Sequence, residues 1–374
     1  MSHTSAVSVA ASAGDPSGRP LVAVLGAYGH TGRFVVAELL RRGMTPLLVG
    51  RDRTRLDALR DLAPGAPVRV ATTEDAASLD RALDGAGAVV NCAGPFLATA
   101  PAVAEAALRA GLPYLDVSAE QGVTAALFDT YGDRAREAGV VLVPSLAFYG
   151  GLGDLLATAA LGDWPDADEI TLAYGLDSWH PTPGTRLTGE SNAGQHLTYT
   201  GGRLQPFDYS PDVFPWRFPE PLGTQDASAF PAAEQVTLPR HVRTPEVRAV
   251  MNLAPLQDLR AEDTPAPVPV DGRGRSAQTF LVEAVVRRGR ETRRAVAGGR
   301  DIYAVTAPLV VEAVARILDG RCKATGVAAA GEAFDAGSFL RSLTPEHLTR
   351  LDLPADADRS AQRASAGTPR NVRR

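Results

Sequence analysis

The sequence predicts an α/β protein with a Rossmann-type, doubly wound parallel sheet followed by a second, mixed α+β substrate domain. A glycine-rich turn at residues 26–32 joins an apolar, strand-like run to a helical pattern. Apolar runs then alternate with helical patterns as far as residue 162, as a doubly wound sheet requires. From residue 163 this alternation stops, and prolines and aromatic residues become frequent. The change in character predicts two domains rather than one.

Length and composition indicate a globular protein with more than one core. The chain has 374 residues, of which 45% are hydrophobic and 22% charged, as is usual for folded proteins of several domains. A net charge of −5 provides no basic surface for nucleic acid. No run of about 18 apolar residues is present, so we expect no membrane span, and the small, polar start does not resemble a signal peptide.

Cysteine and lysine usage narrows the chemistry further. Cys92 and Cys322 lie far apart with no metal-ligand spacing around them, so we expect no disulfide, no metal site and a cytoplasmic location. Lys323 is the only lysine, so a mechanism that needs a catalytic lysine has to use it. The expected partner is a small-molecule substrate, and a homodimer is left open.

In the first domain, predicted at residues 20–162, strands and helices alternate one by one. Right-handed crossovers place the carboxyl ends of its strands along one edge of the sheet, where open α/β sheets bind ligands. Residues 1–19 are expected to form a disordered arm. The predicted strands are residues 21–25, 46–49, 68–71, 88–91, 114–117 and 140–143; the predicted helices are one that Gly43 ends, then residues 54–62, 76–83, 100–110 and 124–138.

The rest of the chain is divided into a substrate domain (163–300), a C-terminal helical region that packs back near the cofactor domain (301–353) and a disordered tail (354–374). Residues 145–153 form a glycine-rich hinge. The helix at 154–161 is expected to continue the first domain. The other predicted elements are a strand at 168–176, a loop at 180–190 that enters a helix, strands and long loops over 199–231, an excursion at 261–275, a hairpin of 279–287 and 293–297 that turns at Gly289, and helices at 305–318 and 334–343.

The glycine-rich turn predicts a dinucleotide site. Gly26 allows a tight turn after the strand, Gly29 lets backbone N–H groups approach a pyrophosphate, and Gly32 lets the helix pack closely on the strand. The start of the helix then presents unpaired N–H groups and the positive end of its dipole to the phosphates. The cofactor-binding residues predicted in this turn are Gly26, Tyr28, Gly29, His30, Thr31 and Gly32.

The end of the second strand favours NADP over NAD. An NAD-binding domain carries an acidic residue at that position, whereas here Gly50 is followed by Arg51. A guanidinium suits the 2′-phosphate of NADP, and Arg53 and Arg55 are further basic residues on the next helix. We interpret Asp52 as the cap of that helix rather than as a ribose ligand.

Four sequence stretches resemble the saccharopine dehydrogenase-like family, which includes saccharopine reductases and trans-acting enoyl reductases. They are GAYGHTG at 26–32, VVNCAGPF at 89–96, YLDVSAE at 114–120 and DIYAVTA at 301–307. The resemblance covers residues 20–160 closely and residues 270–345 loosely, and it implies an NADP-binding Rossmann domain, a mixed α/β domain and hydride transfer. One departure is Ala119, where the family often has glycine.

The second of these stretches follows the fourth predicted strand, where the nicotinamide and its ribose would lie. Gly94 and Pro95 would let the backbone pass close to the cofactor, although a simple turn is the alternative. Cys92 is expected to be a small buried residue rather than an acid. The predicted cofactor-binding residues here are Asn91, Cys92, Ala93, Gly94, Pro95 and Phe96.

Three residues are candidate proton donors. His180 titrates near neutral pH and lies in a loop before a helix, Tyr303 precedes an apolar helix, and Tyr149 lies in the hinge. For each of the three, a purely structural role is the alternative. A Tyr-x-x-x-Lys dyad is excluded, because the residue four positions after Tyr149 is Gly153.

Four further residues are candidate substrate ligands. Asp116 and Glu120 follow the fifth strand, where they would orient an amine, relay a proton or cap the next helix. Gly184 and Thr185 stand at a helix start and would hold an anionic group. The aromatic residues of 199–231, with few charges among them, suggest a mainly apolar cavity.

These observations predict an NADPH-dependent reductase that acts on a C=C or C=N bond of a small, largely apolar substrate. The alternatives are a saccharopine or amino-acid dehydrogenase acting on a C–N bond, a non-catalytic NADP sensor of the NmrA type, and an isomerase that retains its cofactor.

Overall fold

The computed structural model describes residues 18–209 and 212–354. The predicted arm and tail therefore fall almost wholly outside the described residues. Within those ranges, none of the helices combines the length and the apolar character needed to cross a membrane.

Up to residue 161 the chain alternates strands and helices, as expected. A wide helical turn at Phe148–Leu152 precedes the last helix of this part. The elements are β1 (Leu21–Leu25), α1 (His30–Arg41), β2 (Thr45–Gly50), α2 (Arg53–Asp57), β3 (Val68–Val70), α3 (Ala76–Leu83), β4 (Ala88–Asn91), α4 (Phe96–Ala110), β5 (Tyr114–Asp116), α5 (Gln121–Glu137), β6 (Val141–Val143) and α6 (Gly153–Leu161).

After residue 161 strands predominate, and the intervening helices are short except for one. A 3₁₀ turn at Leu238–Arg240 follows the second of these helices. The elements are β7 (Glu169–Leu176), α7 (Pro183–Ser191), β8 (Leu197–Thr200), β9 (Arg203–Pro206), β10 (Val213–Arg217), β11 (Thr224–Ala229), α8 (Glu234–Thr237), β12 (Val247–Asn252), α9 (Leu253–Arg260), β13 (Thr279–Arg288), β14 (Glu291–Arg300), α10 (Thr306–Leu318), β15 (Gly326–Val327), α11 (Ala330–Ala333), α12 (Ala336–Ser342) and β16 (Leu348–Asp352).

The first sheet is parallel throughout and has the strand order β15-β6-β5-β4-β1-β2-β3. The order reverses at β1, which lies between β4 and β2. Every residue of β1 is buried, as its unbroken apolar run predicts. In such a doubly wound sheet the ligand cleft forms at the carboxyl ends of the strands, where the order reverses.

The second sheet is mixed. Its main path is β10-β11-β12-β7-β13-β14-β16, and β8 and β9 attach to it at β12. The predicted hairpin is confirmed and is longer than expected, since β13 and β14 stay paired from Thr279 with Arg300 to Arg288 with Glu291. The predicted fold class, a Rossmann-type sheet with a second mixed domain, is therefore confirmed.

Several boundaries differ from those predicted. The predicted helix at 54–62 ends at Asp57, ahead of Pro64 and Gly65, which favour a turn. Helix α6 packs against β13 and β14 of the second sheet rather than continuing the first domain. The two-residue strand β15 returns to the first sheet beside β6. Strand β16 adds an edge to the second sheet, so the region after residue 301 is not only helical.

One apolar core joins the two sheets. It contains Val22 of β1, Val282 of β13 and Val310 of α10, all fully buried. Helix α10 packs along α1, so the C-terminal region lies against the cofactor-binding half. This shared core fixes the second sheet relative to the carboxyl edge of the first.

Candidate cofactor and substrate cleft

A cavity of about 640 Å³ lies at the carboxyl edge of the first sheet, where the strand order reverses. Its floor is formed by the glycine turn after β1 and the loop after β4. Its opposite wall comes from residues 147–149, from Trp179, from residues 182–185 and 187–188, and from the segment before α10. The cavity therefore extends from the Rossmann half into the second sheet's domain.

The glycine turn has the shape of a phosphate cradle. Gly26 has a φ of +76°, and a Cβ atom there would lie 2.9 Å from the backbone of Cys92 and Ala93. A Cβ atom on Gly32 would lie 2.2 Å from the Gly26 carbonyl oxygen. Gly29 stands at the N-cap of α1 and has no side chain that could accept the first N–H groups of the helix. The residues present therefore fit a dinucleotide diphosphate.

His30 is the first residue of α1 and lines the cavity. Its ring lies edge-on to Phe34 and Tyr303, with ring centroids 5.3 and 5.2 Å away. Burial lowers the pKa of His30, and its Nε2 atom is buried with no partner among the described residues. His30 is therefore a neutral imidazole beside the glycine turn, with its Nε2 atom unpaired among the described residues.

The end of β2 lies beside the same cavity. Gly50, Arg51 and Tyr28 all line it. Asp52 accepts a hydrogen bond from the Arg55 backbone N–H at 3.1 Å, so it caps α2 as predicted. This arrangement leaves guanidinium groups, and no carboxylate from β2, at the site expected for the ribose.

The loop after β4 is held from beneath by Asn91. The fully buried Asn91 amide donates to the Thr99 hydroxyl at 3.2 Å and accepts from the Ala93 N–H at 3.0 Å. Asn91 thus shapes the loop and does not line the cavity, whereas residues 92–96 do line it. Burial, with a smaller effect from Asp116, raises the pKa of the Cys92 thiol, which is consistent with a neutral, half-buried residue.

Asp116 and Glu120 do not line the cavity. Asp116 is fully buried and accepts hydrogen bonds from the Tyr114 hydroxyl at 2.9 Å and the Ser145 N–H at 2.8 Å. Burial raises the pKa of Asp116 to about 6. Its oxygens are engaged within the protein, so this placement contradicts the predicted role as a substrate ligand.

Glu120 acts as a cap, but for a different helix from the one expected. Its two carboxylate oxygens accept the backbone N–H groups of Phe96 at 2.8 Å and Leu97 at 2.9 Å, at the start of α4. The Thr188 hydroxyl of α7 lies close enough to this carboxylate to help lower its pKa. Burial raises the pKa of Glu120 against these hydrogen bonds. Glu120 therefore joins the cofactor loop to α7 rather than binding substrate.

Tyr303, which precedes α10, is hydrogen-bonded to the loop and helix at residues 179–185. Its hydroxyl receives the Trp179 indole N–H at 3.1 Å, lies 2.9 Å from the Thr185 hydroxyl and donates to the His180 carbonyl at 3.3 Å. Burial raises the pKa of Tyr303, which keeps the hydroxyl protonated. Because this hydroxyl already makes three hydrogen bonds within the protein, the geometry favours a positioning role over proton donation.

Tyr149 is the predicted donor whose hydroxyl remains free. It lines the cavity within an aromatic cluster, and its ring centroid lies 5.2 Å from that of Trp179 and 4.8 Å from that of Phe148. The hydroxyl is buried with no hydrogen-bond partner among the described residues. Burial raises the pKa of Tyr149 well above its usual value, so the phenol stays neutral.

The side chain of His180 does not line the cavity, which contradicts the prediction that it donates a proton there. Its Nδ1 atom lies 3.2 Å from the Pro265 carbonyl in the excursion at 261–275. Gly184 and Thr185 do line the cavity. The Thr185 N–H is already bonded to the Thr182 hydroxyl at 3.0 Å, so this helix start is capped from within.

Sequence reasoning missed several residues of the cleft. Trp179, Phe148 and Thr188 line it without belonging to any recognisable motif. Trp179 directly precedes His180, but no periodic pattern in the loop after β7 marks it as a cleft residue.

The fold and the site define a Rossmann-type dinucleotide-binding protein whose cleft is completed by a second, mixed-sheet domain. Residues 22–143 match the family model of the saccharopine dehydrogenase NADP binding domain. The resemblance to the saccharopine dehydrogenase-like family is thereby confirmed, and so is NADP as the cofactor. The match supports an NADP-dependent oxidoreductase.

Relatives with similar sequences match about a third of this chain. A probable mitochondrial saccharopine dehydrogenase-like oxidoreductase from Arabidopsis thaliana is 35% identical over 140 residues, which are 33% of this chain and 31% of that protein. The human saccharopine dehydrogenase-like oxidoreductase is 28% identical over 143 residues, 33% of each chain. The matched region thus spans about a third of these relatives.

The fold is similar over a longer stretch to saccharopine dehydrogenase (L-Glu forming) from Saccharomyces cerevisiae. That structure has a TM-score of 0.59 at 13% identity and covers 89% of this chain and 99% of its own. The likeness extends the common fold to both domains.

Proposed function

We propose that this chain is an NADPH-dependent reductase that acts on a C=C or C=N bond of a small, largely apolar substrate held between the two domains. The observation that carries the proposal is that one cavity is lined both by the glycine turn and by an aromatic wall. When bound, NADPH supplies the hydride, and the protein supplies orientation and a hydrogen-bond donor.

The distribution of charge along the cavity supports an apolar substrate. Among the described lining residues, the acidic and basic side chains are Arg51, Arg55 and Glu74, which lie near the ends of β2 and β3. The wall at the far end is built from Phe148, Tyr149 and similar uncharged residues. A substrate with several carboxylates would meet no cation there. Such a substrate is disfavoured, because an unpaired buried charge is costly.

The hydroxyl groups on this wall are largely engaged. Thr306 accepts from the Phe148 N–H at 3.2 Å and donates to the Ile302 carbonyl at 2.9 Å. Thr185 is bonded to Tyr303. We therefore assign Tyr149 as the donor to the substrate, since it can bond to a ligand without breaking an existing hydrogen bond.

Replacing Tyr149 by phenylalanine tests this assignment. We expect Tyr149→Phe to lower kcat/KM by about 100-fold, the effect of removing one donor aimed at developing charge, without changing the Kd for NADPH. The matched control is Tyr131→Phe, because the Tyr131 hydroxyl lies at 3.4 Å from the Pro101 carbonyl and does not line the cavity. Equal activities of the two variants would remove Tyr149 from the mechanism.

The reaction itself is tested by the loss of NADPH absorbance with a panel of neutral enones and cyclic imines. The second candidate, favoured by the family match, is a dehydrogenase that acts on the C–N bond of an amino acid or of saccharopine. NADP⁺ reduction with those compounds, and none with the neutral panel, would establish it instead. Tight NADPH binding without turnover on either panel would indicate a sensor.

A further inference from the structure

Gly50 stands where an NAD-binding domain carries the acidic residue that binds the ribose, and another side chain occupies that space here. A Cβ atom at Gly50 would lie 2.7 Å from Cε1 of the Tyr28 ring. NAD-binding Rossmann domains carry their ribose-binding carboxylate at this end of the second strand. Here the Tyr28 ring fills that space, so a side chain at position 50 would have to displace it.

The Tyr28 ring in turn contacts the guanidinium group of Arg55. The Cζ atom of Arg55 lies 4.2 Å from the centroid of the Tyr28 ring, a cation–π contact. Both residues line the cavity. The Asp52 cap fixes the first turn of α2, from which Arg55 projects. The ring and the cap together hold the Arg55 charge at the mouth of the cofactor end.

The neighbouring arginines are not equivalent to Arg55. Arg53 is paired with Asp57 at 2.8 Å and does not line the cavity. Arg51 lines the cavity but lies close enough to the Glu74 carboxylate to help lower its pKa, after the larger effects of the Thr72 hydroxyl and the Glu74 backbone. Arg51 therefore already has an anionic neighbour, whereas Arg55 has an aromatic one.

We propose that Tyr28 and Arg55 form the element that selects NADP: the ring of Tyr28 excludes an acidic side chain at position 50 and holds Arg55, which binds the 2′-phosphate together with Arg51. This inference rests on the proposed use of NADPH and extends it to a specific contact between a residue of the glycine turn and a residue of α2. Planar guanidinium groups pair well with phosphate, and two of them can share its oxygens.

The test measures binding of two small probes by calorimetry, 2′,5′-ADP and 5′-AMP, which differ only in the 2′-phosphate. We expect Arg55→Gln to raise the Kd for 2′,5′-ADP by about tenfold or more, the size of a lost charge-assisted hydrogen bond. The Kd for 5′-AMP should rise by less than about twofold. Arg53→Gln is the matched control and should change neither affinity. Equal effects of the two substitutions, or equal losses for both probes, would overturn the proposal.

A second pair of variants tests the ring. Tyr28→Phe keeps the aromatic face and should bind 2′,5′-ADP as the unaltered protein does, whereas Tyr28→Leu should resemble Arg55→Gln. Similar losses of 2′,5′-ADP affinity in the Phe and Leu variants would contradict the proposal that the Tyr28 ring holds Arg55. Failure of the unaltered protein to bind 2′,5′-ADP would refute the inference and NADP use together. Normal probe selectivity without turnover on any substrate panel would refute the reductase alone.

Discussion

The buried carboxylate of Asp154 joins three parts of the second domain, one of which contributes His241. Its Nε2 atom lies 3.2 Å from both oxygens of the buried Asp154 of α6. The same carboxylate accepts the Thr237 hydroxyl at 2.7 Å and the Gly331 N–H at 2.7 Å. Burial tends to lower the pKa of His241, but Asp154, with help from Glu332, outweighs it, so the pKa is raised. The native state therefore favours the charged imidazole.

This pKa shift has a defined sign in stability. Because the folded pKa exceeds the unfolded one, the stabilisation is fully present below about pH 6.5 and is lost as the pH rises through the folded value. We expect His241→Gln to lower Tm more at about pH 6 than at about pH 9. Thermal unfolding followed by circular dichroism measures the difference. A loss of Tm that is independent of pH would show that the pair contributes packing only.

At the scale of elements, the contact between α1 and α10 is held by a charge network that is largely buried. Glu312 of α10 pairs with Arg316 at 2.6 Å and with Arg42, which follows α1. Glu38 pairs with Arg42 at 2.7 Å. Glu312 and Arg316 are 5% and 3% exposed, so neither is screened by solvent.

Removal of one partner from this network should cost more than surface pairs do. We expect Arg316→Met to lower the free energy of unfolding by about 3 kcal/mol, since it leaves the Glu312 carboxylate buried with less compensation. Arg321→Met is the control, because Arg321 is half exposed and lies 3.9 Å from Glu312; its effect should stay below about 1 kcal/mol. Urea titration compares them. Losses of similar size would show that solvent reaches the network.

The sequence predicted elements well where a local pattern specifies them and poorly where a distant residue does. The apolar run of β1 and the glycines after it determine strand, turn and helix by themselves. The start of α4 at Phe96 depends on the carboxylate of Glu120, which is 24 residues away in sequence. The orientation of His180 depends on the Pro265 carbonyl in another loop. Neither contact leaves a periodic signal in the chain.

At the scale of the whole molecule, the shared core links the stability of the two halves. Buried residues from both sheets and from α10 belong to one apolar cluster, so neither half can lose its packing alone. We expect calorimetry to give a single unfolding transition. NADPH at about a hundred times its Kd should stabilise the native state by about 2.7 kcal/mol across that transition. Two resolved transitions, with only one moved by NADPH, would show independent domains.

Strand β15 has a consequence for any attempt to transplant the nucleotide-binding half into another protein. Although only two residues long, it covers the outer side of β6 and arrives from near the opposite end of the chain. A fragment cut after residue 162 would leave the backbone of β6 open to pairing with foreign strands. Residues 20–162 therefore form an incomplete unit. Transplanting them requires either the segment that contains β15 or another strand to pair with the exposed edge of β6.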